Sequence, residues 1–189
     1  MKSNKNVAIA GTNLLANYPL SKEDLDAISL KTKNIEPSRI FNGHIRSGVV
    51  GAVMFLRIEF FKKIGFFDEN IFMYCGDGEI CTRATKLGYE TILVNDSFAF
   101  HQEGNSSGSK LRNVYRRYLH LCWSRAYFSK NNNKTYSIIR RAFIRFFNTI
   151  MSILTFNKRK AVSNFASFSG YSSFLIGLKA FKKDGAPRG

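Results

Sequence analysis

The sequence predicts an α/β front part followed by a helical back part. Three observations carry that expectation. Residues 1–108 alternate short apolar, β-branched runs with segments of helical periodicity, the pattern of strands and helices layered over one core. Residues 109–189 change character and carry long basic stems at helical spacing. The charge divides at the same place. Of 29 Lys and Arg and 13 Asp and Glu in the 189-residue chain, the front part holds twelve of each sign, and the back part holds seventeen cations with Asp184 as its sole acid. The whole net charge of +16 therefore belongs to residues 109–189. The division follows Gly104-Asn105-Ser106-Ser107-Gly108, a loop-forming cluster.

The elements follow in order. Asn6 to Gly11 is a short apolar run, expected as a buried strand. Ser21 to Asp24 has a capping residue followed by acids, the start signal of a helix. Residues 31–47 are polar, with Pro37 and Gly43, and read as a loop. Val49 to Leu56 is β-branched and apolar, a second strand. Ile58 to Ile64 makes a short helix stopped by Gly65, and Phe66 to Tyr74 is an aromatic loop around Asp68-Glu69. Asp77 to Leu87 is a helix stopped by Gly88. Tyr89 to Val94 is a third strand, and Ser97 to His101 a short extended piece. Residues 109–130 and 135–156 are helices. In the second, Ile139, Phe143, Phe146, Phe147, Ile150 and Leu154 share one face, and Arg141, Arg145, Asn148 and Ser152 the other. Ala161 to Lys182 is a third helix, weakened by Gly170 and Gly177.

Composition narrows the classes. A hydrophobic content of 44% with 22% charged residues is that of an ordinary globular chain, which excludes wholesale disorder. Cys75, Cys81 and Cys122 are too few for a disulfide scaffold and match no zinc spacing, so reduced and mostly buried thiols are expected. Val7 to Ala10 is too short for the apolar segment of a secretory signal, which points to a cytoplasmic protein. No window of about 18 residues is both uninterruptedly apolar and free of charge, which disfavours a spanning helix.

Chemistry concentrates between Gly51 and Ser107. Asp68 and Glu69 form one carboxylate pair, and Asp77 and Glu79 open a helix, where the helix dipole favours negative charge. A carboxylate in a cleft can act as a general base. It can equally cap a helix, and the residues alone favour capping.

The same stretch resembles the acceptor-side half of family 2 glycosyltransferases, especially bacterial rhamnosyltransferase-like members. Gly51-Ala52, Arg57, Gly65, Phe67-Asp68-Glu69, Phe72, Tyr74, Gly76-Asp77-Gly78-Glu79-Ile80, Arg83, Gly88-Tyr89, His101 and Ser106-Ser107 match that family's pattern in order over some sixty residues. A weaker echo continues through Tyr118 to Asn131 and Gly177 to Gly185. The resemblance implies a partial GT-A-like mixed sheet with flanking helices over residues 1–108, then a basic helical extension over 109–189. It implies an inverting sugar transfer from a nucleotide-sugar donor to a polysaccharide or lipid-linked acceptor. Asp77 would be the general base, with Asp68, Glu69 and Tyr74 lining the acceptor, Glu79 and Arg83 in support, and His101 near the metal or diphosphate. Mg²⁺ or Mn²⁺ would neutralise the leaving diphosphate. Tyr74 and Trp123 can stack on a sugar face, although core packing is the commoner use of such rings.

Two departures bear on activity. Gly76 stands where the family has Glu beside the base, and Glu79 where it has a second Asp. The family's nucleotide-binding strands and Asp-x-Asp have no counterpart, because Asn6 to Leu15 resembles the segment that follows them. Asp24-Leu25-Asp26 has the letters but sits in an expected helix. The resemblance therefore implies a truncated enzyme or a separate chain that supplies the donor-binding half, and an incomplete sheet with an exposed edge. The competing reading is a non-catalytic module whose basic tail contacts an anionic membrane at the inner face of the cell membrane. Single-stranded nucleic acid suits the tail less well, because its apolar face is wide and rich in Phe, Ile and Leu. In a third reading the apolar faces of the tail pack on the front part.

Overall fold

A computed structural model of the chain describes residues 6–15, 40–41, 44–46, 48–101, 110–131 and 135–189. The helix expected from Ser21 lies outside them. The chain divides into two compact units: residues 1–68 with 76–103, and residues 69–75 with 104–189. The first is α/β and the second is helical. Among the described residues of the front sequence, the short segment 69–75 groups with the helical unit.

The first unit is built on a five-stranded mixed sheet. Its strands are β1 (Val7–Leu15), β2 (Ile40–Phe41), β3 (His44–Arg46), β4 (Met54–Leu56) and β5 (Glu90–Phe100), in the order β2-β3-β5-β1-β4. Only β1 and β5 run parallel; the other pairs are antiparallel. Val7 to Ala10 are buried without alternation, as expected of an interior strand covered on both faces. Helices α1 (Ile58–Ile64) and α2 (Gly76–Lys86) cover one face through Phe61, Ile80, Cys81 and Ala84, packed on Ala8, Ile9 and Val49. Gly11 is required at its place: a Cβ there would stand 2.2 Å from Val49 Cγ1.

Three expectations need correction in this unit. Part of the stretch read as a loop over 31–47 forms a hairpin, with Ile40 opposite Ile45 and Phe41 opposite His44. The residues between its strands, Asn42-Gly43, are a favoured pair for two-residue hairpin turns. The strand expected over Val49–Leu56 keeps only its last three residues, because Gly51 and Ala52 turn the chain and the Gly51 N–H bonds a side chain instead of a neighbouring strand. The third strand does not stop at Val94. It runs on to Phe100 through an irregularity after Val94, where the Asn13 side-chain amide donates to the carbonyls of Val94, Asn95 and Ser97. The stops at Gly65 and Gly88 occur as expected, both at positive φ, 82° and 83°.

The second unit holds α3 (Leu111–Asn131), α4 (Thr135–Leu154) and α5 (Lys158–Leu175). Its core is Cys122, Ala126, Ile138, Ala142 and Tyr171. The third helix starts earlier than its sequence suggests, with Asn157 capping the Lys160 N–H at 3.0 Å, and ends at Leu175 rather than Lys182. Gly177, at φ 76°, closes α5 with a Schellman pair of bonds: Gly177 N–H to Phe174 O and Leu178 N–H to Ser173 O. Gly170, which weakened the helical reading, is a packing requirement. A Cβ there would meet the Leu119 carbonyl oxygen of α3 at 2.4 Å.

Candidate functional site

Hydrogen bonds tie the motif residues of the first unit into two groups, both anchored on α2. Asp77 lies in the first turn of α2, and both of its carboxylate oxygens accept backbone N–H groups: Oδ2 from Gly51 at 3.0 Å and Oδ1 from Gly78 at 2.8 Å. The Gly-Ala turn before β4 is thereby tied to the start of the helix. A carboxylate has about four lone-pair sites, so these two bonds leave acceptor capacity on Asp77. Gly76 is not imposed by space; a Cβ there would lie 3.7 Å from Phe67, an ordinary contact.

Glu79 and Arg83 form the most fully bonded group. Arg83 Nε and Nη2 donate to the two oxygens of Glu79, each at 2.9 Å. Nη1 donates to the carbonyls of Ile64 (2.6 Å) and Gly65 (2.8 Å), and Nη2 also to Phe66 O. All five guanidinium donors are used. The three carbonyls lie at the end of α1, where a helix leaves acceptors without intrahelical partners and favours a cation. The hydrogen bond with Glu79 raises the Arg83 pKa above its ordinary value, burial opposing it, and Asp68 adds to the same field. Arg83 and Glu79 are therefore a clamp between α1 and α2.

The other expected site residues divide between the units. Asp68 ends one segment of the first unit, while Glu69 and Tyr74 belong to segment 69–75 of the second. In that segment Phe72 lies against His120 with ring centroids 4.7 Å apart, and the Met73 carbonyl accepts the Ser124 hydroxyl at 2.8 Å. Tyr74 and Cys75 both adopt left-handed backbone, φ 65° and 62°, immediately before α2. Two successive non-glycine residues in that region cost about 1–3 kcal/mol each, and such strain clusters at functional segments. Nothing in the local sequence announced it. Trp123 is no sugar platform: it is buried, stacks on Tyr127 and donates to the Leu178 carbonyl at 2.7 Å. Cys81 is a core thiol whose pKa is raised chiefly by burial, and Val49 N–H donates to its sulfur.

Among the described residues, no three His, Cys, Asp or Glu side chains converge to hold a metal ion. His101 is exposed just after β5, and Asp24 and Asp26 lie outside the described residues. The divalent cation implied by the resemblance thus finds no ligand set in the described part of the chain. The second unit has an open polar cleft of about 550 Å³, lined by Arg145, Asn148, Ser152, Lys160, Ser163 and Asn164 among others. Compared with known proteins, the chain matches no family model, no curated protein and no solved structure.

Proposed function

We propose that the chain is the acceptor-side portion of an inverting family 2-type glycosyltransferase on a partial GT-A-like sheet, acting in cell-envelope polysaccharide synthesis at the cytoplasmic face of the membrane. The observation that carries the reading is the bonding among the motif residues. Gly51 bonds Asp77, and Glu79 bonds Arg83, which holds Gly65. Residues spread over some thirty positions thus form two bonded groups on one helix, α2. In the proposed reaction an acceptor hydroxyl attacks the anomeric carbon of a nucleotide sugar. Its proton passes to a lone pair that Asp77 has left, while the bond from the anomeric carbon to the diphosphate breaks and the nucleoside diphosphate leaves with the electron pair. The donor-binding half, with its metal, comes from elsewhere, either a separate chain or a longer form of this one.

The test is a transfer assay with a panel of nucleotide sugars and membrane extract as acceptor, with the chain alone and with a donor-binding half supplied in trans. Sugar incorporation that Asp77→Asn abolishes is the expected result. Incorporation indifferent to Asp77→Asn, or none in either configuration, overturns the reading. A non-catalytic module is the second reading, favoured by the backbone and clamp partners that Asp77 and Glu79 already have.

A further inference from the structure

Helix α4 is built the wrong way round for water. Its residues at one helical spacing, Tyr136, Ile139, Phe143, Phe147, Ile150 and Leu154, face outward: Phe143 is 75% exposed, Phe147 61% and Leu154 64%. The opposite stripe is Ile138, Ala142, Arg145, Thr149 and Ser152, with Thr149 and Ser152 buried. Inward, Ile138 and Ala142 join the small core with Tyr171 and Phe146 lies against Phe168, and beside them the contacts to α5 are polar. Arg145 Nη1 donates to Asn164 Oδ1 at 3.1 Å, and Asn164 Nδ2 donates to Ser152 Oγ at 3.1 Å and to the Asn148 carbonyl at 3.4 Å. On α5 the buried positions are Ala166, Ser167, Gly170, Tyr171 and Ser173, nearly all small. Small and polar groups between helices, with large apolar groups outside, is how helices pack where the surroundings are hydrocarbon. Among the described residues of the helical unit, none covers the outward face of α4.

We infer that the outward face of α4, continued by Phe156 in the turn to α5, inserts into the surface of an anionic lipid bilayer with α4 lying in the plane of the interface. Charge complementarity selects this occupant. The helical part has seventeen cations against Asp184, and Arg140, Lys158, Arg159 and Lys160 are exposed at the border and end of the apolar face. That combination of a wide Phe/Ile/Leu face with a basic border is the pattern of an interfacial helix. A second copy of the chain would bring its own uncompensated cations against these. Arg140, Arg141 and Arg145 punctuate α4, and among the described residues no helix is long and apolar enough to cross a membrane. The helix lies on the bilayer and does not span it. This inference does not depend on sugar transfer.

The test is flotation of the full chain with vesicles of phosphatidylcholine alone and of phosphatidylcholine mixed with phosphatidylglycerol. Flotation with the anionic vesicles, weakened by salt, is expected. Phe143→Ser and Phe147→Ser should each weaken binding about tenfold or more, and exchanging Lys158, Arg159 and Lys160 for Gln about fivefold per cation. These side chains are exposed, so circular dichroism should stay unchanged. A measurement independent of affinity uses Phe156→Trp, whose new indole should blue-shift on anionic vesicles and be quenched by brominated acyl chains. Equal flotation on both vesicle types, absence of flotation, an indole in Phe156→Trp that stays unquenched, or chain dimers abolished by Phe143→Ser without lipid binding would each overturn the inference. Preferential binding to single-stranded nucleic acid would do the same. Asp77→Asn should float like the unsubstituted chain, which separates this outcome from the fate of the transfer reading.

Discussion

Arg83 offers the sharpest test of how the first unit is held together. Arg83→Met keeps most of the aliphatic stem and removes all five donors. The carbonyls of Gly65 and Phe66 are open to solvent and regain water, so their loss counts for little. The half-buried Ile64 carbonyl loses a charge-assisted bond, about 1.5 kcal/mol. Glu79, 14% exposed, loses both of its bonds to Arg83 and keeps its charge, roughly a further 1 kcal/mol in a partly screened place. The sum is about 2–3 kcal/mol, or roughly a 30- to 150-fold change in an opening equilibrium. Hydrogen exchange read by mass spectrometry on peptides covering Ile58–Ile64 and Gly76–Lys86 measures it directly, since the loss falls on the α1–α2 contact. Arg83→Lys, with three donors on a point charge, should fall between the two proteins. Protection of Ile58–Ile64 unchanged in Arg83→Met would show that the clamp is a surface pair without consequence and refute the argument.

The second unit carries two further predictions. Gly170→Ala gains up to about 1 kcal/mol of helix propensity but drives a methyl against the Leu119 carbonyl, which is backbone and cannot swing away; a net loss of about 2 kcal/mol should lower the denaturation midpoint read by Trp123 fluorescence. His120 is buried, its Nε2 donates to the Arg188 carbonyl at 2.6 Å, and burial lowers its pKa below the ordinary value. The unfolded chain therefore binds the proton more readily, so stability is full above the unfolded pKa of about 6.5 and falls as pH drops through it, with a slope of at most about 1.4 kcal/mol per pH unit; His120→Gln should remove that part of the slope in denaturation curves taken between neutral and mildly acidic pH.

What could be read in the sequence was whatever depends on neighbours along the chain. The stops at Gly65 and Gly88 were legible because a left-handed residue after a helix almost demands glycine. The periodicity of α1 to α4 was legible for the same local reason. The hairpin of β2 and β3 was not read, because the polar surroundings argued for a loop, although Asn-Gly is a pair favoured in two-residue hairpin turns. The remaining differences turn on distant partners. Gly51 leaves its strand because a carboxylate 26 residues on takes its N–H, and β5 continues past Val94 because Asn13 reaches its carbonyls. Gly170 reads as a weak point until α3 is seen beside it. In the candidate site, the pairing of Glu79 with Arg83 follows from their spacing of four on one helix. The left-handed Tyr74 and Cys75, and the packing of segment 69–75 with the helical unit, leave no local trace.

Helix α4 shows a deeper limit of pattern reading. A period of 3.6 establishes that a helix has two faces, and habit assigns the apolar one to the protein interior. That assignment assumes water outside. The neighbouring helix decides otherwise: α5 offers the Asn164 amide to α4, and a polar partner of that kind accepts Arg145, Asn148 and Ser152 better than it would accept Phe143 or Phe147. Once that stripe is committed inward with Ile138 and Ala142, Phe143 and Phe147 face out, and they do so within residues 109–189, which carry the chain's whole net charge. Positive charge alone would fit a nucleic-acid surface, and an apolar face alone would fit another protein. Their coincidence on one helix, over an interface built as if hydrocarbon surrounded it, fits a surface that is both anionic and oily.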